Sequence, residues 1–216
     1  EIRAVVLRGA GGNFSAGGDL KERDTAPDTE AVVERNMIGG NILDRIDRAP
    51  QAIVAVVQGN TLGGGFGLTC VADVVIADAT VKFRLPEVGI GIPPAQIAPY
   101  VIRRVGISQA RRLALTAATI GGDEALDLGL AHFLCADEKE LDVCLAKVLA
   151  DIDRCGPSAI ASAKELLRVA SGGAGAEYVE YAARVFAEAY LSEEGQEGAL
   201  AIREKRAPRW RTGKSR

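Results

Sequence analysis

Two glycine-rich stretches, each placed after an apolar run, restrict what this chain can become more than any other feature. The first is Phe14-Ser15-Ala16-Gly17-Gly18-Asp19-Leu20, which follows Ala4-Val5-Val6-Leu7. The second is Gly59-Asn60-Thr61-Leu62-Gly63-Gly64-Gly65-Phe66-Gly67-Leu68, which follows Ile53-Val54-Ala55-Val56-Val57. Short aliphatic, β-branched runs bounded by glycine predict buried strands. Strand, glycine turn, helix, strand is the order of an α/β core with crossover connections. Two strand ends almost free of side chains expose backbone N–H groups to whatever lies between them. Paired donors of that kind are the parts of an oxyanion hole.

Around these motifs, strands are expected at residues 2–8, 52–57 and 74–77, with an extended piece at 81–84. An amphipathic helix is expected over 29–48, weakened at Gly39-Gly40 and ended before Pro50. Beyond Pro94 the chain reads almost wholly helical: 98–105 and 108–116 on either side of Gly106, then 123–128, 137–153, 158–169, 177–191 and 194–205. The expected division is therefore an α/β core at 1–94 and a helical part at 95–216. The chain begins close to a predicted strand and without Met, so a preceding segment is expected.

Composition serves mainly to exclude. A net charge of −3 and a pI near 5.4 give no field for nucleic acid. No apolar run reaches the roughly 18–20 residues of a membrane span, and no signal-peptide pattern opens the chain. Cys70, Cys135, Cys144 and Cys155 form no C-x-x-C pair, and His132 is the single histidine, so no metal site is expected. The cysteines read as reduced, mostly buried thiols of a cytoplasmic protein. Gly9-Ala10-Gly11 places Phe14 at the third position of a dinucleotide fingerprint, and no P-loop is present. A G-x-S-x-G nucleophile elbow is also missing. His132, far from both glycine motifs, reads as a structural residue rather than a base. The glycine triplet alone would indicate close strand–helix packing. Its combination with the first motif, and with a carboxylate in Leu85-Pro86-Glu87-Val88-Gly89-Ile90-Gly91-Ile92-Pro93-Pro94, points to a site.

Taken together, Ser-Ala-Gly-x-Asp-Leu, Gly-x-x-x-Gly-Gly-Gly-x-x-Leu-x-Cys-x-x-Asp and Phe-x-x-Pro-Glu-x-x-x-Gly-x-x-Pro resemble the crotonase (enoyl-CoA hydratase/isomerase) superfamily. The likeness extends to Ser108-Gln109-Ala110-Arg111-Arg112-Leu113, to residues 125–130, and to Glu204-Lys205-Arg206-Ala207-Pro208-Arg209-Trp210. It implies a ββα spiral core with a C-terminal helical subdomain that mediates oligomerisation, as trimers or as hexamers built from two trimers. It implies an acyl-CoA substrate, with coenzyme A present as part of the thioester and no permanently bound cofactor. The preceding segment would supply contacts to CoA. The resemblance assigns the oxyanion donors to the N–H groups of Gly18 and Gly64, and catalysis to Glu87. Ala16, Gly17, Asp19, Leu20, Gly63, Gly65, Gly67 and Pro86 are the residues it places around the substrate. Asp19 would fix the first turn, and Asp73 would anchor the helix of the second motif.

The chain departs from the pattern at one important position. Hydratases of this family carry two glutamates, one of them three residues after the second oxyanion donor, and here that position is Gly67. A single carboxylate leaves hydration, double-bond isomerisation and a catalytically weak acyl-CoA-binding role open. Some isomerases of the family place an acid just after the Ile-Pro turn, where Pro94 stands, which disfavours that subtype. Gly67 is expected to leave volume for a bulkier or branched acyl group. The Gly-Gly-Gly-Phe-Gly-Leu and Pro-Pro-Ala-Gln-Ile-Ala-Pro segments resemble hydratases of branched glutaconyl-type thioesters. The seven basic residues from Arg203 to Arg216 are read as a solvated terminus, with CoA phosphates as the alternative partner.

Overall fold

A computed structural model of the chain describes residues 2–18, 28–173 and 175–211. Its elements run β1 (Ala4–Arg8), α1 (Thr29–Asp47), β2 (Ala52–Val57), β3 (Asn60–Leu62), α2 (Gly64–Val71), β4 (Val74–Asp78) and β5 (Lys82–Arg84). A 3-10 turn, Glu87–Ile90, precedes α3 (Ala98–Thr116), β6 (Thr119–Ile120), α4 (Gly122–Asp127) and β7 (Phe133–Cys135). The chain then continues through α5 (Glu138–Asp153), α6 (Pro157–Ala170), α7 (Ala176–Leu191) and α8 (Glu193–Arg203).

Two sheets carry the α/β part. One has the strand order β1-β2-β4-β7, the other β3-β5-β6. β2 pairs parallel with β4 from Val54↔Val74 to Val57↔Ala77, and β4 pairs parallel with β7 from Ile76↔Phe133 to Asp78↔Cys135. All six residues of β2 are buried, which is why its sequence is a continuous apolar run rather than an alternating one. In the second sheet β3 and β5 are parallel, and β6 closes on β5 antiparallel. α2 seats on this sheet through Phe66, whose ring meets Phe83 edge-on at 5.9 Å with neither ring exposed.

Contacts divide the chain into two compact units. One comprises Val6–Asp47 and Ile53–Leu145; the other comprises the described parts of Glu1–Val5, Arg48–Ala52 and Ala146–Arg216. The boundary expected at 94/95 falls inside the first unit, because β6 returns to β5 and β7 returns to β4. Those two strands lie in the stretch that reads as helical, and at two and three residues they are too short to show a period. The break expected at Gly106 is present, with φ 73° and ψ 159° inside α3. α1 instead runs unbroken through Gly39-Gly40, where Gln96 packs against the bare face of Gly40.

In the second unit, Glu194 closes the start of α6, accepting from the N–H groups of Ser158 (3.0 Å) and Ala159 (2.9 Å). The described basic residues of the terminus are partly engaged there. Arg206 forks onto Glu197 at 2.6 and 3.0 Å, and this pairing holds the Glu197 carboxyl down at about 2. Of the four thiols two are buried, Cys70 and Cys135, so the expectation of mostly buried cysteines holds for half of them. Among the described residues no helix is long and apolar enough to cross a membrane.

Candidate active site

β3 is the element that brings the two glycine motifs together. Phe14 N–H donates to the Gln58 carbonyl (2.8 Å), Ser15 N–H to that of Asn60 (3.0 Å), and Leu62 N–H to that of Ser15 (2.9 Å). The resulting parallel bridge, Ser15↔Thr61, pins the first turn beside the second. Gly17 sits at φ +89°, and a β-carbon there would lie 3.2 Å from the Leu62 carbonyl oxygen, so both backbone and space require glycine. Its N–H donates to Ser15 Oγ at 3.3 Å. Gly18 follows, exposed, with no atom of the described residues within 4 Å of its β-position. Ala16 is exposed as well. Asp19 and Leu20 lie outside the described residues.

The glycine triplet holds three residues that are bare for different reasons. Gly63 has φ +53°, and its N–H donates to the Arg84 carbonyl (3.0 Å), extending the β3–β5 register by one step. Gly65 is buried against the first motif, and a β-carbon there would lie 2.6 Å from Ser15 Cβ. Gly64, between them, is exposed and opens α2, with no atom of the described residues within 4 Å of its β-position. The first N–H groups of a helix have no partner inside it and carry the positive end of its dipole. The flanking glycines thus lock the turn, while the middle one presents a bare amide.

The same register delivers the carboxylate. β5 leaves the sheet through buried Leu85 to Pro86, which starts the 3-10 turn; Gly91, at φ 78°, ends it. Glu87 reaches back across this turn, so that a β-carbon on Gly63 would lie 3.0 Å from Glu87 Oε1 and 3.9 Å from Pro86 Cδ. Glu87 Oε2 is buried and has no hydrogen-bond partner among the described residues. Burial pushes the Glu87 carboxyl above the usual carboxylate range, opposed only in part by a backbone hydrogen bond. The carboxyl thus lies beside the residue that precedes α2, with one oxygen buried.

Gly67 requires a correction. The volume expected beside it is already filled: a β-carbon there would run into Ile97 Cγ2, with Ile97 Cβ at 3.2 Å and Leu43 Cδ1 at 3.6 Å. Ile97, itself buried, takes the space left by the missing side chain, so the bare face of Gly67 is a packing surface. Nothing in the sequence pairs residue 67 with residue 97; the contact arises because α3 packs against α2. The structural role expected for His132 agrees with its contacts. Its Nδ1 accepts from Val75 N–H (2.9 Å), its backbone N–H donates to the Val75 carbonyl (2.9 Å), and partial burial together with Arg104 lowers its pKa. Asp73 ties the exit of α2 to β2 by accepting from Ile53 N–H at 2.7 Å.

The comparisons with known proteins point the same way. The family model for enoyl-CoA hydratase/isomerase matches residues 1–213. The solved structure of Pseudomonas aeruginosa AtuE is 50% identical with a TM-score of 0.94, over 97% of this chain and 82% of that one. An enoyl-CoA hydratase/isomerase from Marinobacter aquaeolei is 40% identical with a TM-score of 0.91, over 97% and 82% of the two chains. The Alternaria alternata enoyl-CoA hydratase AFT6-1 is 34% identical over 185 residues, 86% of this chain; the chain spans 60% of that relative's own length. The fold is thus the crotonase fold. The chain belongs to the enoyl-CoA hydratase/isomerase family, as an acyl-CoA enzyme of hydratase type.

Proposed function

We propose that the enzyme adds water across the α,β-double bond of an enoyl-CoA thioester, with the N–H groups of Gly18 and Gly64 holding the thioester oxygen and Glu87 moving the protons. The observation that carries this reading is the placement of Glu87 Oε1 against Gly63, one residue before the bare amide of Gly64, with Oε2 buried and without a hydrogen-bond partner among the described residues. Ionised Glu87 takes a proton from water as the oxygen bonds to the β-carbon. The π electrons move to the thioester oxygen as an enolate, which the two N–H groups stabilise. The proton then passes from Glu87 to the α-carbon. A carboxyl raised above its ordinary pKa by burial suits both halves of this cycle, because its two protonation states are closer in energy at working pH.

Ala16, Gly17, Gly63, Gly65 and Pro86 shape the surroundings of these groups. Branching of the acyl group, inferred from the resemblance, has to be accommodated elsewhere than at Gly67, whose neighbouring space Ile97 fills. Isomerisation is the second reading, and the lack of a carboxylate at Gly67 is what favours it. A trimer or a pair of trimers is supported by the exposed apolar side chains of α7, among them Val179, Phe186, Tyr190 and Leu191.

Turnover of a panel of enoyl-CoAs in H₂¹⁸O distinguishes these readings. The expected product carries the label on the β-carbon. A displaced double bond without label would establish isomerisation instead, and tight binding without turnover would leave an acyl-CoA-binding protein.

A further inference from the structure

α2 is eight residues long and buries six of them, and Gly64 stands at its first position. Its other end is closed by a side chain that the mechanism does not use. Arg104, from the first half of α3, donates from Nη2 to the carbonyls of Thr69 (3.2 Å) and Cys70 (3.1 Å), and also to that of Ala72. Three carbonyl oxygens at the end of one short helix thus accept from one nitrogen of one cation. Such oxygens have no partner inside the helix and form the negative end of its dipole. The groups facing the guanidinium define its setting. Nη1 lies 3.3 Å from His132 Nε2, the Cys70 thiol is buried beside it, and Asp73, Asp47 and Arg103 act on it electrostatically.

We propose that Arg104 is a positioning residue for the reaction: by binding the C-terminal carbonyls of α2 it fixes the helix whose first amide, that of Gly64, receives the enolate oxygen, and its charge offsets the negative pole at the far end. The proposal rests on the reading of Gly64 as an oxyanion donor. Two physical effects act together. The fork of hydrogen bonds sets the helix, so that the Gly64 N–H is not free to turn away, and a donor preorganised in this way needs no rearrangement when charge develops. The charge adds a long-range part. An eight-residue helix is about 12 Å long, and a unit charge at that distance in an effective dielectric near 20 changes the stability of a developing anion by about tenfold. Because the effect acts on the enolate and not on the neutral thioester, it enters kcat and leaves ground-state binding alone.

Acetoacetyl-CoA serves as the probe, since its enolate has an ultraviolet band that the keto form lacks and the pKa of the bound thioester therefore reads enolate stabilisation directly. Arg104→Gln, checked for folding by circular dichroism, is expected to raise that bound pKa by about one unit, a tenfold loss. Its kcat should fall by a similar factor while the Kd of saturated butyryl-CoA stays within about twofold. Arg104→Lys, with the charge but without the planar guanidinium that places Nη2 among the three carbonyls, should fall between Gln and wild type. A folded Arg104→Gln variant with an unchanged bound pKa overturns the proposal. So does a loss of kcat matched by an equal loss of butyryl-CoA binding, which is what general loosening of the fold would give. Should the Gln variant not fold, the Lys variant decides: a raised bound pKa supports the proposal and a wild-type value overturns it. Gly64→Pro, which removes the amide hydrogen itself, is the control. If it leaves the bound pKa untouched, the oxyanion reading fails; if it raises the pKa and Arg104→Gln does not, the role of Arg104 alone fails.

Discussion

Replacing Glu87 with Gln is expected to lower kcat by at least about 10²-fold, the usual scale of a general acid–base contribution, with the Kd of a saturated acyl-CoA changed by no more than about twofold. The side chain keeps its shape and loses its ability to accept and return a proton. The same substitution carries a stability prediction of opposite sign. Burial raises the Glu87 carboxyl above its unfolded value, so the folded state holds the proton more tightly than the unfolded state. Stability associated with the protonated form is complete below the unfolded pKa of about 4.3 and is lost as pH rises through the folded one. At pH 8 the ionised carboxylate sits with one oxygen buried and without a partner among the described residues, and Gln removes the cost of that buried charge. Glu87→Gln should therefore melt at a higher temperature than the wild type at pH 8, and the two should converge below about pH 4. In the wild type, activity should decline as pH falls through the raised pKa of this carboxyl. A variant that keeps most of its activity, or that is less stable at pH 8, contradicts the assignment.

Gly67→Glu should act on folding before it acts on catalysis. A β-carbon at 67 collides with Ile97, and overpacking of a buried position costs about 1–3 kcal/mol. Carrying a carboxylate into the same buried contact adds several kcal/mol more unless it is protonated or paired, roughly. Against a total stability of about 5–15 kcal/mol, a fall in Tm of at least about 10 °C is expected. The test is a double variant. Ile97→Ala makes room, so Gly67→Glu with Ile97→Ala should melt higher than Gly67→Glu alone, although Ile97→Ala by itself is destabilising. Full retention of Tm in Gly67→Glu, with only KM altered, would show that residue 67 faces substrate after all.

The parts of the fold that were legible in the sequence are those whose cause is local. β2 announces itself as six consecutive apolar residues because it is buried on both faces, and the break in α3 follows from one glycine at positive φ. Glu87 is singled out by the resemblance carried by its Pro-Glu segment, and Pro86 and Gly91 bracket it in a turn. What was not legible depends on residues distant in the chain. β3 lies hidden within the second glycine motif, since three residues show no period, yet its bridge to Ser15 is what assembles the site. β6 and β7 are equally short and draw their definition from β5 and β4. Ile97 and Arg104 look like ordinary positions in a helical stretch; their roles come from packing against α2, a contact that spacing along the sequence does not encode.

Polarisation of the thioester carbonyl by the Gly64 amide is the step on which the proposed reaction depends most. Isotope-edited infrared spectroscopy of bound butyryl-CoA, labelled with ¹³C at the thioester carbon, measures that polarisation without turnover. Proline is well tolerated at the first position of a helix, and no described atom lies within 4 Å of the Gly64 β-position. Gly64→Pro therefore deletes the donor while keeping α2. The predicted result is a carbonyl band shifted to lower frequency in the wild-type complex and returned most of the way to its solution value in Gly64→Pro. An unshifted band in the wild type, or an equal shift in both proteins, would contradict the account.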